Sequence, residues 1–417
     1  MARNEFHPQA YNVSQLWGAK MKTLSSMFLP ALVIAIAGLS VVSFAETKSV
    51  AHYVITDDAQ ELGGNTATIY VASGGSSNPK LTQRKVVDTG GQGLGGFFAA
   101  PDVAVVRDHQ QQCAYVADGG SSDVAGISLA TLKTTGRFTG SSGDQGEISL
   151  AASSRYLYAD FYASNTIATF KVRSGCKLAF VGDTSAVGLN GGSVDGMALH
   201  GDILVVAYGD GSIESFNTSS GLAVSNGDEQ LSTGAKNDGG TPTGVDITSD
   251  GHYAIFGDIA REVEVEVSDI SSGKLTTTVE YGGPGKHFGS EDSQVVRLSP
   301  DESLIYLSGG YTGKVGALFF DKSTGTVSKG CESKRLRGWA VHFVGTGGNA
   351  TEATSGTGEL LWVAEVGGGD GLPSSIGIVE VSSNGSTCTL TEATHSPASD
   401  AKTTFLTSIA AYPPRKF

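Results

Sequence analysis

Short apolar runs alternate with turns rich in glycine, serine and aspartate along almost the whole chain after residue 50. The clearest unit begins at Val295 and reads VVRLSPDESLIYLSGGYTGKVGALFFDKSTGTVSKG. Alternation of apolar and polar residues within each run predicts β-strands that bury their faces. The segments SPDES, GGYTGK and STGT predict the three tight turns between them. The unit is therefore predicted to be a four-stranded antiparallel sheet.

This unit recurs about every 45–50 residues, which is the spacing of blades in a β-propeller. Further copies begin at Val103, Ile148, Met197 and Val245. A divergent copy runs from about Trp339 to Thr394 and carries the insertion GTGGNATEATSGTG. A parallel solenoid is less consistent with the pattern, because its repeats are shorter and lack such hairpins.

The two ends of the chain predict how the ring closes. AHYVITDD, TATIYVAS and LTQRKVVDTG have the pattern of a second, third and fourth strand, whereas TSIAAYPP has that of a first strand. One blade made from both ends would leave no open sheet edge in the ring. We therefore predict an all-β, seven-bladed propeller in a single domain over residues 46–417, with six or eight blades as the alternatives.

Residues 1–45 have the pattern of an export signal with an upstream extension. Lys20 and Lys22 supply positive charge around Met21, where translation is expected to start, and an apolar stretch covers residues 27–42. Ser43 and Ala45 place small residues where a signal peptidase cleaves. We expect a secreted or periplasmic protein. An uncleaved membrane anchor is the alternative, and it would be the chain's only contact with a membrane.

Export affects the interpretation of the four cysteines, because disulfides persist in oxidising compartments. They are Cys113, Cys176, Cys331 and Cys388. We favour the pairs Cys113–Cys176 and Cys331–Cys388, since each would join neighbouring repeats, over the other two pairings or free buried thiols.

The net charge of −14 argues against nucleic acid as a partner, because such a surface repels phosphate backbones. No cysteine or histidine spacing indicates a metal site, so no cofactor is expected. Asp57, Asp58, Asp118 and Asp370 suggest Ca²⁺ or another divalent cation only by residue type, without a known binding motif. The expected partner is a small molecule, a glycan or a protein, and the oligomeric state is left open.

In a propeller, the loops that enter the first strands gather at one mouth of the channel, where ligand sites usually form. The densest such loop is GGPGKHFGSEDSQ, which contains Lys286, His287, Glu291 and Asp292. His287 has the chemistry of a general base, and Glu291 would orient it. Arg337 in the next inter-blade loop would hold a substrate carboxylate. The alternative is a solvated polar loop.

Other positions near the predicted mouth are ligand-binding candidates. They are Asp195, Asp246, Trp339 and Ser408, together with Lys286 and Asp292. The two aspartates would bind a cation in the channel with the help of backbone carbonyls, or each would cap a turn by local hydrogen bonds.

The strings LSPDESLIYLSGGYTGKV and ITSDGHYAIFGD resemble the repeats of lactonase-type seven-bladed propellers. That superfamily includes 6-phosphogluconolactonase-like, carboxymuconate-cyclase-like and YVTN-repeat proteins, and the chain is most similar to exported bacterial members. The resemblance implies a lactone hydrolase or a cycloisomerase. However, lactonase-like members commonly have a histidine just before a first strand, where this chain has Ser293 or Gln294.

The sequence therefore favours an exported binding or scaffold propeller that presents a ligand or partner site at the channel mouth. The alternative is a lactonase-like or cyclase-like enzyme that acts on a carboxylated or sugar-derived lactone ring, with His287, Glu291 and Arg337 as its catalytic set.

Overall fold

A computed structural model describes the chain over a series of segments. These are residues 52–59, 64–75, 78–93, 103–107, 111–144, 146, 148–238, 241–258, 263–282, 293–309, 313–337, 340–346, 359–366, 374–399, 406 and 408–412. The predicted export signal lies outside them, as does most of the insertion in the divergent repeat.

The described residues form seven antiparallel sheets, each built around a path of four hydrogen-bonded strands. Blade 1 contains β4 (Val103–Arg107), β5 (Gln112–Asp118), β6 (Asp123–Ser128) and β7 (Lys133–Phe138). Blade 2 contains β8 (Ile148–Ala152), β9 (Tyr156–Phe161), β10 (Thr166–Arg173) and β11 (Lys177–Ser185), with a 3-10 turn at Tyr162–Ser164. Blade 3 contains β12 (Val194–His200), β13 (Ile203–Tyr208), β14 (Ser212–Asn217), β15 (Val224–Ser225) and β16 (Gln230–Leu231), and helix α1 (Thr233–Asp238) follows it.

The second half of the ring repeats this arrangement. Blade 4 contains β17 (Pro242–Ile247), β18 (Tyr253–Asp258), β19 (Val263–Asp269) and β20 (Thr276–Gly282). Blade 5 contains β21 (Ser293–Leu298), β22 (Leu304–Gly309), β23 (Val315–Asp321) and β24 (Thr326–Glu332). Blade 6, the divergent repeat, contains β25 (Ala340–Thr346), β26 (Glu359–Val366), β27 (Ser375–Ser383), β28 (Cys388–Glu392) and β29 (Ala398–Ser399).

The remaining sheet, which we call the closing blade, contains strands from both ends of the chain. Its order is β3 (Lys80–Asp88), β2 (Thr66–Ser73), β1 (Tyr53–Asp57) and β30 (Ser408–Tyr412). The C-terminal strand β30 takes the innermost place and pairs antiparallel with β1. The prediction of seven blades, with one shared between the two chain ends, is therefore confirmed.

Hydrophobic clusters join each blade to its neighbours. One cluster packs Tyr115 of blade 1 against Phe161 and Phe170 of blade 2, and all three side chains are fully buried. Burial of large aromatic and branched side chains between sheets is the main stabilising contribution in such a fold. The apolar side chains of the alternating pattern therefore fill the spaces between blades.

The glycine in the turn between the third and fourth strands has a packing role. Gly221 of blade 3 lies on the ring of Tyr156 of blade 2, so that an added Cβ would be 2.9 Å from ring atoms. Gly325 of blade 5 lies on Tyr253 of blade 4 in the same way, with a Cβ at 2.8 Å. Both glycines also have positive φ angles, 99° and 71°. These turns therefore need glycine both for backbone conformation and for the aromatic ring that covers them.

The outermost strand is interrupted in every blade. In the closing blade and in blades 1, 2 and 5, the register against the third strand shifts by one residue at one point, and in blade 4 it shifts at two points. In blades 3 and 6 the outer position is instead divided between two short segments. Bulges and breaks of this kind make an edge strand a poor template for pairing with another chain.

Two disulfides join neighbouring blades, as predicted. Cys113–Cys176 links blades 1 and 2, and Cys331–Cys388 links blades 5 and 6. No free cysteine remains. These bonds are consistent with a protein that leaves the cytoplasm. Among the described residues, no helix is long and apolar enough to cross a membrane.

Candidate functional site

The channel mouth is the face of the ring where the innermost strands begin and the second strands end. Five blades have a carboxylate at the end of the second strand, and all five side chains are buried. They are Asp57, Asp118, Asp160, Asp258 and Glu365. Two of them lie against glycines of the inter-blade connections: a Cβ on Gly91 would be 2.3 Å from Asp118 Oδ2, and one on Gly234 would be 2.1 Å from Asp258 Oδ2. At these two glycines, the inter-blade connection therefore packs directly against a buried carboxylate.

Blade 3 presents a different kind of carboxylate at this face. Asp195 occupies a β-bulge at the start of the innermost strand β12, between the paired residues Val194 and Gly196. A bulge changes the direction of a side chain relative to the regular strand. The Asp195 side chain is partly exposed and lies over Gly209, where an added Cβ would be 3.1 Å from Oδ2.

A second carboxylate, Asp210, lies beside Asp195 and is held by the surrounding backbone. Asp210 Oδ2 accepts hydrogen bonds from Asn190 N at 2.6 Å and Gly192 N at 3.0 Å. Its Oδ1 accepts from Ser212 N at 2.9 Å and Ser212 Oγ at 2.6 Å. The carboxylate thus fixes the glycine-rich connection between blades 2 and 3.

The two carboxyl groups differ in their affinity for a proton. Burial alone would raise the pKa of Asp210, but the hydrogen bonds from Ser212, Asn190 and Gly192 outweigh it and lower that pKa below its ordinary value. Burial, and then the charge of Asp210, raise the pKa of Asp195 to about 6. At neutral pH Asp195 is therefore mostly ionised, but it is a stronger base than an ordinary aspartate.

Exposed apolar side chains lie at this face on the connection between blades 2 and 3 and on the turn after the second strand of blade 2. Val187 and Leu189 belong to the connection that Asp210 fixes, and they are 40% and 51% exposed. Tyr162, 40% exposed, lies on the mouth side of blade 2. An apolar rim beside a small number of polar groups is the usual composition of a small-molecule site. We call Asp195, Asp210 and this rim the blade 3 site.

Asp246 and Ser408 lie in other surroundings. Asp246 Oδ1 accepts its neighbour's N–H from Ile247 at 2.8 Å, and Oδ2 accepts Leu298 N from the inner strand of blade 5 at 2.8 Å. Asp246 is nearly buried and links two blades. Ser408 is buried where β30 pairs with Asp57 of β1. The prediction that these two residues bind a ligand stays a prediction.

Arg337 is engaged by blade 6. Its Nε donates to Glu392 Oε1 at 3.1 Å, and its Nη2 donates to the carbonyl oxygen of Ala393 at 2.8 Å. A substrate carboxylate would have to compete with Glu392 for this guanidinium. The remaining predicted site residues, Lys286, His287, Glu291, Asp292 and Trp339, lie outside the described residues. The predicted set of His287, Glu291 and Arg337 thus remains a prediction.

The described parts of the chain contain no group of three or more histidine, cysteine, aspartate or glutamate side chains arranged to hold a metal ion. Asp57 and Asp118, which suggest a cation site by residue type, both accept hydrogen bonds from the side-chain amide of Asn65, at 2.8 and 2.9 Å.

Sequence reasoning missed Asp210 and its contribution, after that of burial, to the raised pKa of Asp195. The signal was present in GDGS, where Asp210 precedes a glycine and a serine that it caps. The β-bulge at Asp195 was not visible, because it depends on the register between two strands.

No protein-family model matches the chain, and no curated protein sequence matches it. Many solved structures share its fold. A provisionally named 6-phosphogluconolactonase from Bacteroides fragilis is 14% identical, with a TM-score of 0.64, over 88% of this chain and 99% of that one. The periplasmic gluconolactonase PpgL of Pseudomonas aeruginosa is 13% identical, with a TM-score of 0.60, over 84% and 98% of the two chains. A protein of unknown function from Desulfotomaculum acetoxidans is 11% identical, with a TM-score of 0.58, over 87% and 99% of the two chains.

At such low identities the likeness concerns the fold, and function has to be argued from the site. The chain shares the β-propeller fold of these solved structures, and its described residues form seven blades, as its repeats indicate.

Proposed function

We propose that the chain is an exported lactone hydrolase that opens a sugar-derived lactone ring at the blade 3 site. The observation that carries this proposal is the pair Asp195 and Asp210, whose surroundings shift their two pKa values in opposite directions. Paired groups of this kind are characteristic of acid–base chemistry. The folds of the gluconolactonase and of the provisionally named 6-phosphogluconolactonase support the choice of substrate class.

In the proposed reaction, Asp195 acts as the general base. It accepts a proton from a water molecule while the water oxygen attacks the lactone carbonyl carbon. The bond between that carbon and the ring oxygen then breaks, and the ring oxygen takes up the proton that Asp195 accepted. The product is an open hydroxy acid, and Asp195 is again a carboxylate. Asp210 stays ionised, and its charge adds to the burial that raises the pKa of Asp195. Val187, Leu189 and Tyr162 offer apolar contact to the carbon face of the ring.

The test measures acid release from glucono-lactone in a pH-stat, with the spontaneous rate subtracted. We expect kcat/KM of the wild type to rise with pH through about 6, as Asp195 loses its proton. Asp195→Asn should lower kcat by roughly 100-fold or more, with the melting temperature nearly unchanged. The control is Asp202→Asn. Asp202 is an exposed carboxylate in the turn between β12 and β13, on the face opposite the channel mouth, and it pairs with Arg155 at 2.9 Å. That variant should keep full activity.

Two results would contradict the proposal: turnover no faster than the blank, or full turnover by Asp195→Asn. Binding of the lactone without turnover, seen by a shift in melting temperature, would favour an exported binding protein instead. Turnover that depends on His287 but not on Asp195 would place the chemistry in the loop of residues 282–294.

A further inference from the structure

Asp118 connects the closing blade to blade 1 at the mouth face. Its Oδ1 accepts hydrogen bonds from Asn65 Nδ2 at 2.9 Å and from Thr89 Oγ1 at 2.8 Å. Asn65 belongs to the loop between β1 and β2, and its Nδ2 also donates to Asp57 Oδ1 at 2.8 Å. One side-chain amide therefore joins the carboxylates that end the second strands of two adjacent blades.

Residues 89–93, which begin the connection from the closing blade to blade 1, pass over this carboxyl group. Asn65 N donates to the carbonyl oxygen of Gly91 at 2.8 Å, and Gly120 N donates to that of Gln92 at 2.9 Å. Gln92 N donates to Ser121 Oγ at 2.9 Å. Because Gly91 has no Cβ, its backbone lies directly against Asp118 Oδ2. Residues 89–93 are thus held between the two blades.

When the Asp118 carboxyl group is ionised, its negative charge has little water, hydrogen bonding or positive charge to stabilise it. The side chain is 0% exposed, and within the described residues Oδ2 has no hydrogen-bond partner. The charged groups that face it are Asp57 on β1, Asp123 on β6 and Arg137 on β7. Arg137 is itself bound to Asp123, with Nε 2.9 Å from Oδ1, so it offsets little of the charge on Asp118.

We propose that the protonation state of Asp118 controls how tightly residues 89–93 are held between the closing blade and blade 1. These residues are held tightly when the carboxyl group is neutral and more loosely when it is ionised. The physical basis is that an ionised carboxylate buried against a glycine gains solvation when residues 89–93 move away from it and admit water. Neither disulfide connects the closing blade to blade 1, because the two bonds join blades 1 to 2 and 5 to 6.

The sign of the pH dependence follows from the direction of the shift. Burial raises the pKa of Asp118 to about 7, against the lowering effects of the hydrogen bonds from Thr89 and Asn65. In the lifted state, in which residues 89–93 have moved away, the pKa returns toward its ordinary value of 3.8. The lifted state therefore gains on the closed one as pH rises from 4 toward about 7, and the difference levels off above that.

Amide hydrogen exchange tests this effect of Asp118 protonation directly and independently of catalysis. Protection factors, corrected for intrinsic exchange, would be measured between pH 5.5 and 8.5 for segments 89–93 and 118–121. In the wild type, we expect protection of these segments to fall on the order of tenfold over this range. Asp118→Asn keeps the acceptor for Asn65 and Thr89 but cannot ionise, so its protection should not change with pH.

Two further variants make the result specific. Asp88→Asn is the matched control, because exposed Asp88 caps Gly90 N at 2.8 Å in the same connection, and it should behave as the wild type does. Thr89→Val removes a hydrogen bond that favours ionised Asp118, so the fall in protection should move to higher pH. Equal pH dependence in the wild type and Asp118→Asn, or none in the wild type, would overturn the proposal. Unchanged protection in blades 4 and 5 would show that each variant is folded.

Discussion

At the scale of single residues, the high glycine content is explained partly by carboxylates. Gly91 and Gly234 leave room for Asp118 and Asp258, and Gly192 leaves room for Asp210, whose Cγ would lie 2.7 Å from an added Cβ. In each case the glycine belongs to an inter-blade connection and the carboxylate to the end of a second strand or the turn after it. These three glycines have the sequence pattern of flexible loop residues, but each one packs against a carboxylate.

This complementarity predicts that Gly91→Ala destabilises the protein. An added methyl group would lie 2.3 Å from Asp118 Oδ2, and relief requires the connection or the carboxylate to move. We expect a loss of about 1–3 kcal/mol, which is typical of overpacking. Gly143→Ala is the matched control, because this glycine lies in the next connection with nothing within 4 Å of an added Cβ. Urea unfolding would measure both; equal stabilities of the two variants would contradict the prediction.

At the scale of elements, the outer-strand bulges show that the same backbone feature has different surroundings in different blades. The extra residue is Val181 in β11 and Gly330 in β24. Val181 is 46% exposed. At Gly330, an added Cβ would lie 2.4 Å from the carbonyl oxygen of Ala317 and 3.1 Å from Cys388 Sγ. The disulfide between blades 5 and 6 therefore packs closely against a bulge residue that has no side chain.

The contrast predicts different costs for alanine at the two bulges. Gly330→Ala should cost about 1–3 kcal/mol, because it forces a methyl group against backbone and sulfur. Val181→Ala should change stability by less than about 0.5 kcal/mol, because surface substitutions away from special features usually do. Thermal unfolding of the oxidised proteins would separate the two. A Gly330→Ala protein as stable as the wild type would show that the bulge adjusts freely.

At the scale of the whole molecule, the fold follows from the sequence more directly than the site does. Blade boundaries depend on local alternation and on turn residues that recur in each copy, so the segments at Val103, Val245 and Val295 could be recognised singly. Even the cysteine pairs follow from blade order. The position and raised pKa of Asp195 depend instead on a register shift in β12 and on Asp210, which accepts hydrogen bonds from Asn190 and Gly192. These are contacts between separate segments, which no local pattern encodes.

The positions of the two disulfides in the ring predict how much each one contributes to stability. Each of the two pairs closes a loop of similar length, with sequence separations of 63 and 57 residues. Constraining such loops in the unfolded chain is worth about 4 kcal/mol in the chain-entropy model. Neither bond touches the closing blade, where β1 and β30 are held by strand pairing and side-chain packing.

We therefore expect Cys113→Ala/Cys176→Ala and Cys331→Ala/Cys388→Ala each to lower the unfolding free energy by about 2–4 kcal/mol. A reducing agent should lower the melting temperature of the wild type to near that of the variant lacking both pairs, and should leave that variant unchanged. Because the folded ring closes through β30 without either bond, the reduced protein should still give the far-ultraviolet circular dichroism of a β-protein at low temperature. A reduced wild type that melts at the oxidised temperature would contradict this account, and a loss of all β-structure on reduction would mean that strand pairing alone does not close the ring.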